Sequence, residues 1–96
     1  MLIVIARIVA IPGREEAVRD ALLALVEPTR AEAGCITYDL HCDRSDPALF
    51  YFYEAWESEA HLDAHLASEH LARFGAMADE LVAEPVAIHR MDRVEP

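Results

Sequence analysis

The segment Ala48–Trp56, reading ALFYFYEAW, restricts the fold more than any other part of the chain. Its length and its aromatic content suit a β-strand. Side chains alternate along a strand, so Tyr51 and Tyr53 share one face while Phe50, Phe52, Glu54 and Trp56 share the other. Both sets are too apolar for water. Leu2–Ile11 makes the same demand, being β-branched and apolar on both parities. A fold for this chain must therefore cover a sheet on two sides.

The remaining segments supply cover for one side. Pro12-Gly13 ends the first strand. Arg14–Ala33 has helical period, with Val18, Ala21, Leu22, Leu25 and Thr29 on one stripe. Pro28 falls inside it, and the pattern resumes beyond, which predicts a kink rather than an end. Gly34 fits the C′ position. Cys35–Cys42 reads as a strand, DRSDP at 43–47 as a turn, and Ala48–Trp56 as the returning strand of a hairpin. Glu57–Ala67 has helical character. Ser68 can cap a further helix carrying Leu71, Phe74, Ala78, Leu81 and Val82, and Pro85–Met91 reads as a last strand. The order β-α-β-β-α-β predicts one α+β domain over 1–96, a ferredoxin-like split βαβ fold: a four-stranded antiparallel sheet with its helices on one face. The other face then has nothing in the chain to cover it. Fifty-four per cent of the residues are hydrophobic, and a homodimer packed sheet on sheet is the expected resolution, a dimeric α+β barrel.

Charge narrows the partners. Eighteen acidic residues face eight basic ones, all arginine, for a net charge of −10. That balance argues against nucleic acid and against anionic membrane surfaces, both of which need positive charge at the contact. The apolar start, MLIVIARIVAI, lacks a basic n-region and a cleavage site, and is too short to span a bilayer. A cytoplasmic protein is expected. Cys35 and Cys42, on opposite faces of one strand by parity and about 23 Å apart, should not pair.

Chemistry concentrates in Tyr53–His70, YEAWESEAHLDAHLASEH, which holds the only tryptophan and three of five histidines. Glu54 shares the strand face of Trp56. It is expected to bind substrate, to orient a histidine, or to serve as a structural acceptor. His65 and His70 flank the helix break at Ser68, and both can turn toward the sheet. An imidazole with an ordinary pKa of about 6.5 suits proton removal near neutral pH. His61 and His65, four apart, have metal-ligand spacing, but no HExxH motif surrounds them and no metal is expected. Gly13, Gly34 and Gly75 make no phosphate-cradling loop, so no dinucleotide or flavin site is readable.

Three motifs in order, PG at 12–13, EAGCxxY from Glu32 to Tyr38, and ExWxSxxxLxxHxxSxH from Glu54 to His70, resemble the antibiotic biosynthesis monooxygenase family over nearly the whole chain. The resemblance implies the same fold, sheet-packed dimers, and a pocket between sheet and helices. It implies oxygenases that use neither metal nor flavin and oxidise quinols or polyketide phenols with O₂. On that basis Trp56 and His65 are the catalytic candidates, and Glu54, Phe52, His70, Leu66 and Phe74 the substrate-binding ones. The asparagine and tyrosine of the polyketide-oxidising branch correspond to Phe52 and Leu62 here. The positions used by the haem-degrading branch fall at Ala6, His65 and Gly75, which disfavours haem. Two other functions stay open. One is an isomerase similar to autoinducer-2 processing proteins, which would need arginines (Arg7, Arg44, Arg73, Arg90) for a phosphorylated substrate. The other is a non-catalytic dimeric binding module.

Overall fold

Strict alternation along the first strand, β1 (Leu2–Val9), sets the layering: Leu2, Val4, Ala6 and Ile8 are buried, while Ile3, Ile5, Arg7 and Val9 are half-buried. The computed structural model describes residues 1–96. Beyond β1 come helix α1 (Glu15–Arg30), strands β2 (Cys35–Cys42) and β3 (Leu49–Trp56), helices α2 (Glu59–Leu66) and α3 (Glu69–Leu81), and strand β4 (Ala87–Met91). The sheet order is β2-β3-β1-β4 with every neighbouring pair antiparallel. This is the ferredoxin-like α+β arrangement that the sequence predicts, with three helices on one face.

The two most apolar strands lie at the centre. β1 pairs with β3 from Leu2 opposite Trp56 to Val9 opposite Leu49. Their covered faces bring together Val4, Ala6 and Ile8 with Phe50, Phe52, Glu54 and Trp56. Helix α1 lays Val18, Leu22, Leu25 and Thr29 over them, the stripe expected from its period, and α3 contributes Phe74 and Leu81. Each helix end has a local cause. Ser58 caps α2 by accepting from the His61 backbone N–H, and Ser68 caps α3 by accepting from that of Leu71. Helix α1 passes through Pro28 and stops at Arg30, short of the predicted Ala33.

Two local expectations are corrected. Gly34 is not the C′ residue of α1. It sits just before β2 with φ +80°, and a Cβ there would lie 2.2 Å from the His61 ring. Glycine is required there by the close approach of His61 as much as by the backbone. The parity argument for the cysteines also fails. Ile36 is an extra residue in β2, so Cys35 lies opposite Trp56 and Cys42 opposite Phe50. Both cysteines thus fall on the covered side of the sheet, and they remain unpaired.

Candidate active site

A cavity of about 40 Å³ lies between the sheet and the helices. Its floor is Val4, Ala6, Ile8, Phe52 and Glu54, its roof Leu22, Leu62, Leu66 and Phe74. Ala6 lies between Phe52 and Ile88 across the sheet, and its small side chain leaves room there. Among fifteen lining residues only Glu54 and His65 carry ionisable groups near neutral pH. Leu66 and Ile88 line the cavity and are also exposed, so they mark its mouth beside β4.

His65 is 2% exposed and closes one end of this space. Its Nδ1 donates to Glu32 Oε2 at 2.7 Å, and His70 Nε2 donates to the same oxygen at 2.9 Å. The Nε2 atom of His65 makes no hydrogen bond within the chain. On a continuous helix, residues five apart would point about 140° away from each other. The break between Ala67 and Ser68 is what lets both rings converge on one carboxylate. Glu32 is held from both sides: its N–H donates to Thr29 O at 2.9 Å, and its carbonyl accepts from Cys35 N–H at 3.3 Å. The His65 ring lies 4.8 Å from the Trp56 ring, tilted by 33°, and meets the edge of Tyr38 at 5.4 Å. Tyr38 in turn stacks on Phe52 at 4.3 Å.

Burial sets the electrostatics. It lowers the pKa of His65, an effect partly offset by the hydrogen bond and charge of Glu32. It raises that of Glu54 to about 7, against a hydrogen bond from Trp56 that favours the carboxylate. Near neutral pH the cavity thus holds an uncharged imidazole and a carboxyl that is about half protonated. This is the pairing a proton-transfer site needs.

The residues singled out from sequence are placed as follows. Phe52, Glu54, His65, Leu66 and Phe74 line the cavity. Trp56 does not. It is fully buried behind His65, and its indole N–H is already donated to Glu54 Oε1 at 2.9 Å. His70 does not line the cavity either; its ring lies 6.0 Å from that of His65, and it bonds the same Glu32 oxygen. Glu54 does not orient a histidine; Glu32 does. That residue opens the EAGCxxY element, but its 33-residue separation from His65 hid the pairing. His61 turns away, with Nδ1 2.8 Å from Ser58 Oγ, so it forms no set with His65 and Glu54. No arginine lines the cavity. Arg7, Arg73 and Arg90 are engaged by Glu84, by Glu69, and by Glu59 and Asp63 respectively.

Residues 1–77 match the model of the family described as "Antibiotic biosynthesis monooxygenase". The chain is 39% identical over 85 residues to the Mycobacterium tuberculosis protein named "Putative monooxygenase Rv0793", covering 88% of this chain and 83% of that one. It is 30% identical over 95 residues to "Putative monooxygenase YcnE" of Bacillus subtilis, covering 99% of this chain and 100% of the relative. Its fold superposes on the crystal structure of PA3566 from Pseudomonas aeruginosa with a TM-score of 0.93 at 46% identity, over 98% of this chain and 94% of that one.

Proposed function

The chain belongs to the antibiotic biosynthesis monooxygenase family, and from that premise we propose that it oxidises a quinol or polycyclic phenol with O₂ in the sheet–helix cavity, without metal or flavin. The observation that carries this reading is the Glu32–His65 pair at the end of a largely apolar cavity whose other ionisable group near neutral pH is Glu54. With Nδ1–H committed to Glu32, the neutral ring offers Nε2 as a lone-pair base. Its lowered pKa keeps it uncharged near neutral pH.

In this mechanism Nε2 takes the phenolic proton. The electron-rich anion passes one electron to O₂, and the phenoxyl radical and superoxide combine at a ring carbon to form a peroxide. That carbon then loses its hydrogen as a proton while the O–O bond breaks. One oxygen stays as the quinone carbonyl; the other leaves as water, protonated from Glu54 or from His65. The protein contributes a base, an acid, an aromatic slot and the exclusion of water. Trp56 acts as the platform that holds the His65 ring and orients Glu54. A cavity of about 40 Å³ has room for a molecule the size of O₂ and not for an aromatic ring. Substrate therefore enters by parting Leu66 and Ile88 at the mouth.

The same reading gives a homodimer in which the open sheet faces, with Ile3, Ile5, Tyr51 and Tyr53, cover each other. Two unpaired cysteines suit a cytoplasmic setting, and no helix is long and apolar enough to cross a membrane. The small cavity favours one competing reading, a non-catalytic module whose core is merely packed. Oxygen uptake with a panel of quinols and naphthols separates the two. Turnover that survives a chelator and falls about 10²- to 10⁴-fold in His65→Ala supports the oxygenase. No uptake with any member of the panel, in protein shown to be folded, leaves the packed module.

A further inference from the structure

The group Glu32, His65 and His70 does more than orient a base. Their ligand atoms, Oε2, Nδ1 and Nε2, all lie within 4.8 Å of one another. They come from three places, the turn after α1, the end of α2 and the start of α3, and each is fixed by its own backbone bonds. Two imidazole nitrogens and one carboxylate oxygen are a donor set for borderline divalent transition metals such as Zn²⁺ or Co²⁺. Ca²⁺ and Mg²⁺ prefer oxygen alone. Bonds of about 2.0–2.2 Å in a tetrahedral site separate ligands by roughly 3.4 Å. To reach that value the N···O distances of 2.7 and 2.9 Å must open and the two imidazole nitrogens, within 4.8 Å of each other, must draw together, both by side-chain adjustment. His65 is buried, whereas Glu32 and His70 retain 18% and 14% side-chain exposure, which gives the ion a route in from solvent.

We propose that Glu32, His65 and His70 form a binding site for a divalent transition metal, and that occupancy switches the cavity off. The two N–H···O hydrogen bonds hold the ligands in place without metal, and binding displaces both protons. With the metal on Nδ1, the one proton of a neutral imidazole must sit on Nε2. The cavity then faces a donor where the metal-free protein presents a base. The ion is an inhibitor of the proposed oxygenation and takes no part in it. Binding does not depend on that reaction, so the two readings can fail separately.

The test uses the tag-free chain, stripped with a chelator and titrated with Zn²⁺ against a chromogenic competitor, then with Co²⁺, whose visible spectrum reports a tetrahedral nitrogen–oxygen site. One ion per chain is expected. Affinity should drop at least about tenfold in His70→Ala and in Glu32→Gln and stay unchanged in His61→Ala. Circular dichroism confirms that each variant is folded. Absence of stoichiometric binding, or equal affinity in all four proteins, overturns the proposal. So does a Co²⁺ spectrum that is the same in wild type and His70→Ala.

Discussion

The two faces of the central strands are both largely apolar, yet one is covered by helices and the other is open. On the covered face, Phe50, Phe52, Glu54 and Trp56 are sealed by helices, and burial raises the pKa of Glu54 to about 7 while lowering that of the neighbouring His65. On the open face, Leu49, Tyr51 and Tyr53 alternate with them one residue away, and Tyr53 is 42% exposed. A shift of one position along β3 therefore separates the lining of the candidate site from the face proposed to pair in a dimer. What turns an apolar face into a candidate active site is enclosure around a few polar groups. What turns one into an interface is the lack of anything in the chain to enclose it.

Substitutions on alternate residues test this division most severely. Phe52→Ala removes a buried ring and should cost about 3–5 kcal/mol in chemical denaturation. Tyr53→Ala, next door, should change the stability of the isolated chain by no more than about 0.5 kcal/mol, its effect appearing in sedimentation as a weaker dimer. Equal losses in the two variants would break the comparison.

A smaller effect comes from Glu54. Its pKa is raised from 4.5 to about 7 in the folded state, so between those values the folded protein binds more protons than the unfolded one. Stability should then fall as pH rises from about 4.5 to 7, by on the order of 2–3 kcal/mol. Glu54→Gln should flatten that slope, and urea midpoints measured across this range check the sign. Smallest is Ser68→Ala, which loses the cap of α3 and should cost about 1 kcal/mol. Because the same break aims His65 and His70 at Glu32, the variant should also perturb both rings, visible as shifts of their NMR signals.

The periodic parts of the fold were legible in the sequence. The α1 stripe, the hairpin, the Ser68 cap and the split βαβ order all follow from local pattern, whereas the Ser58 cap falls inside a segment that reads as helical from Glu57. What was not legible depends on single residues or on distance. One extra residue, Ile36, reverses the parity of Cys35, and no composition signal marks it. Gly34 serves the ring of His61, a contact visible only once the chain has folded. In the candidate site, His65 and Glu54 line the cavity, an inward placement that strand parity and the helix break imply. Glu32 was missed because its partners are 33 and 38 residues away. By pattern Trp56 is a catalytic candidate, because nothing in the sequence shows that Glu54 already holds its N–H.

The proposed oxygenation requires His65 to present an unprotonated Nε2 to the cavity while Glu32 holds Nδ1–H. Long-range ¹H–¹⁵N NMR of the histidine rings in metal-free protein, followed across pH, reads both facts directly. The predicted result is an Nδ1–H tautomer for His65 at pH 7, with protonation only below its ordinary value of 6.5, and a loss of that tautomer preference in Glu32→Gln. A His65 ring that is charged at pH 7, or neutral with its proton on Nε2, would contradict it.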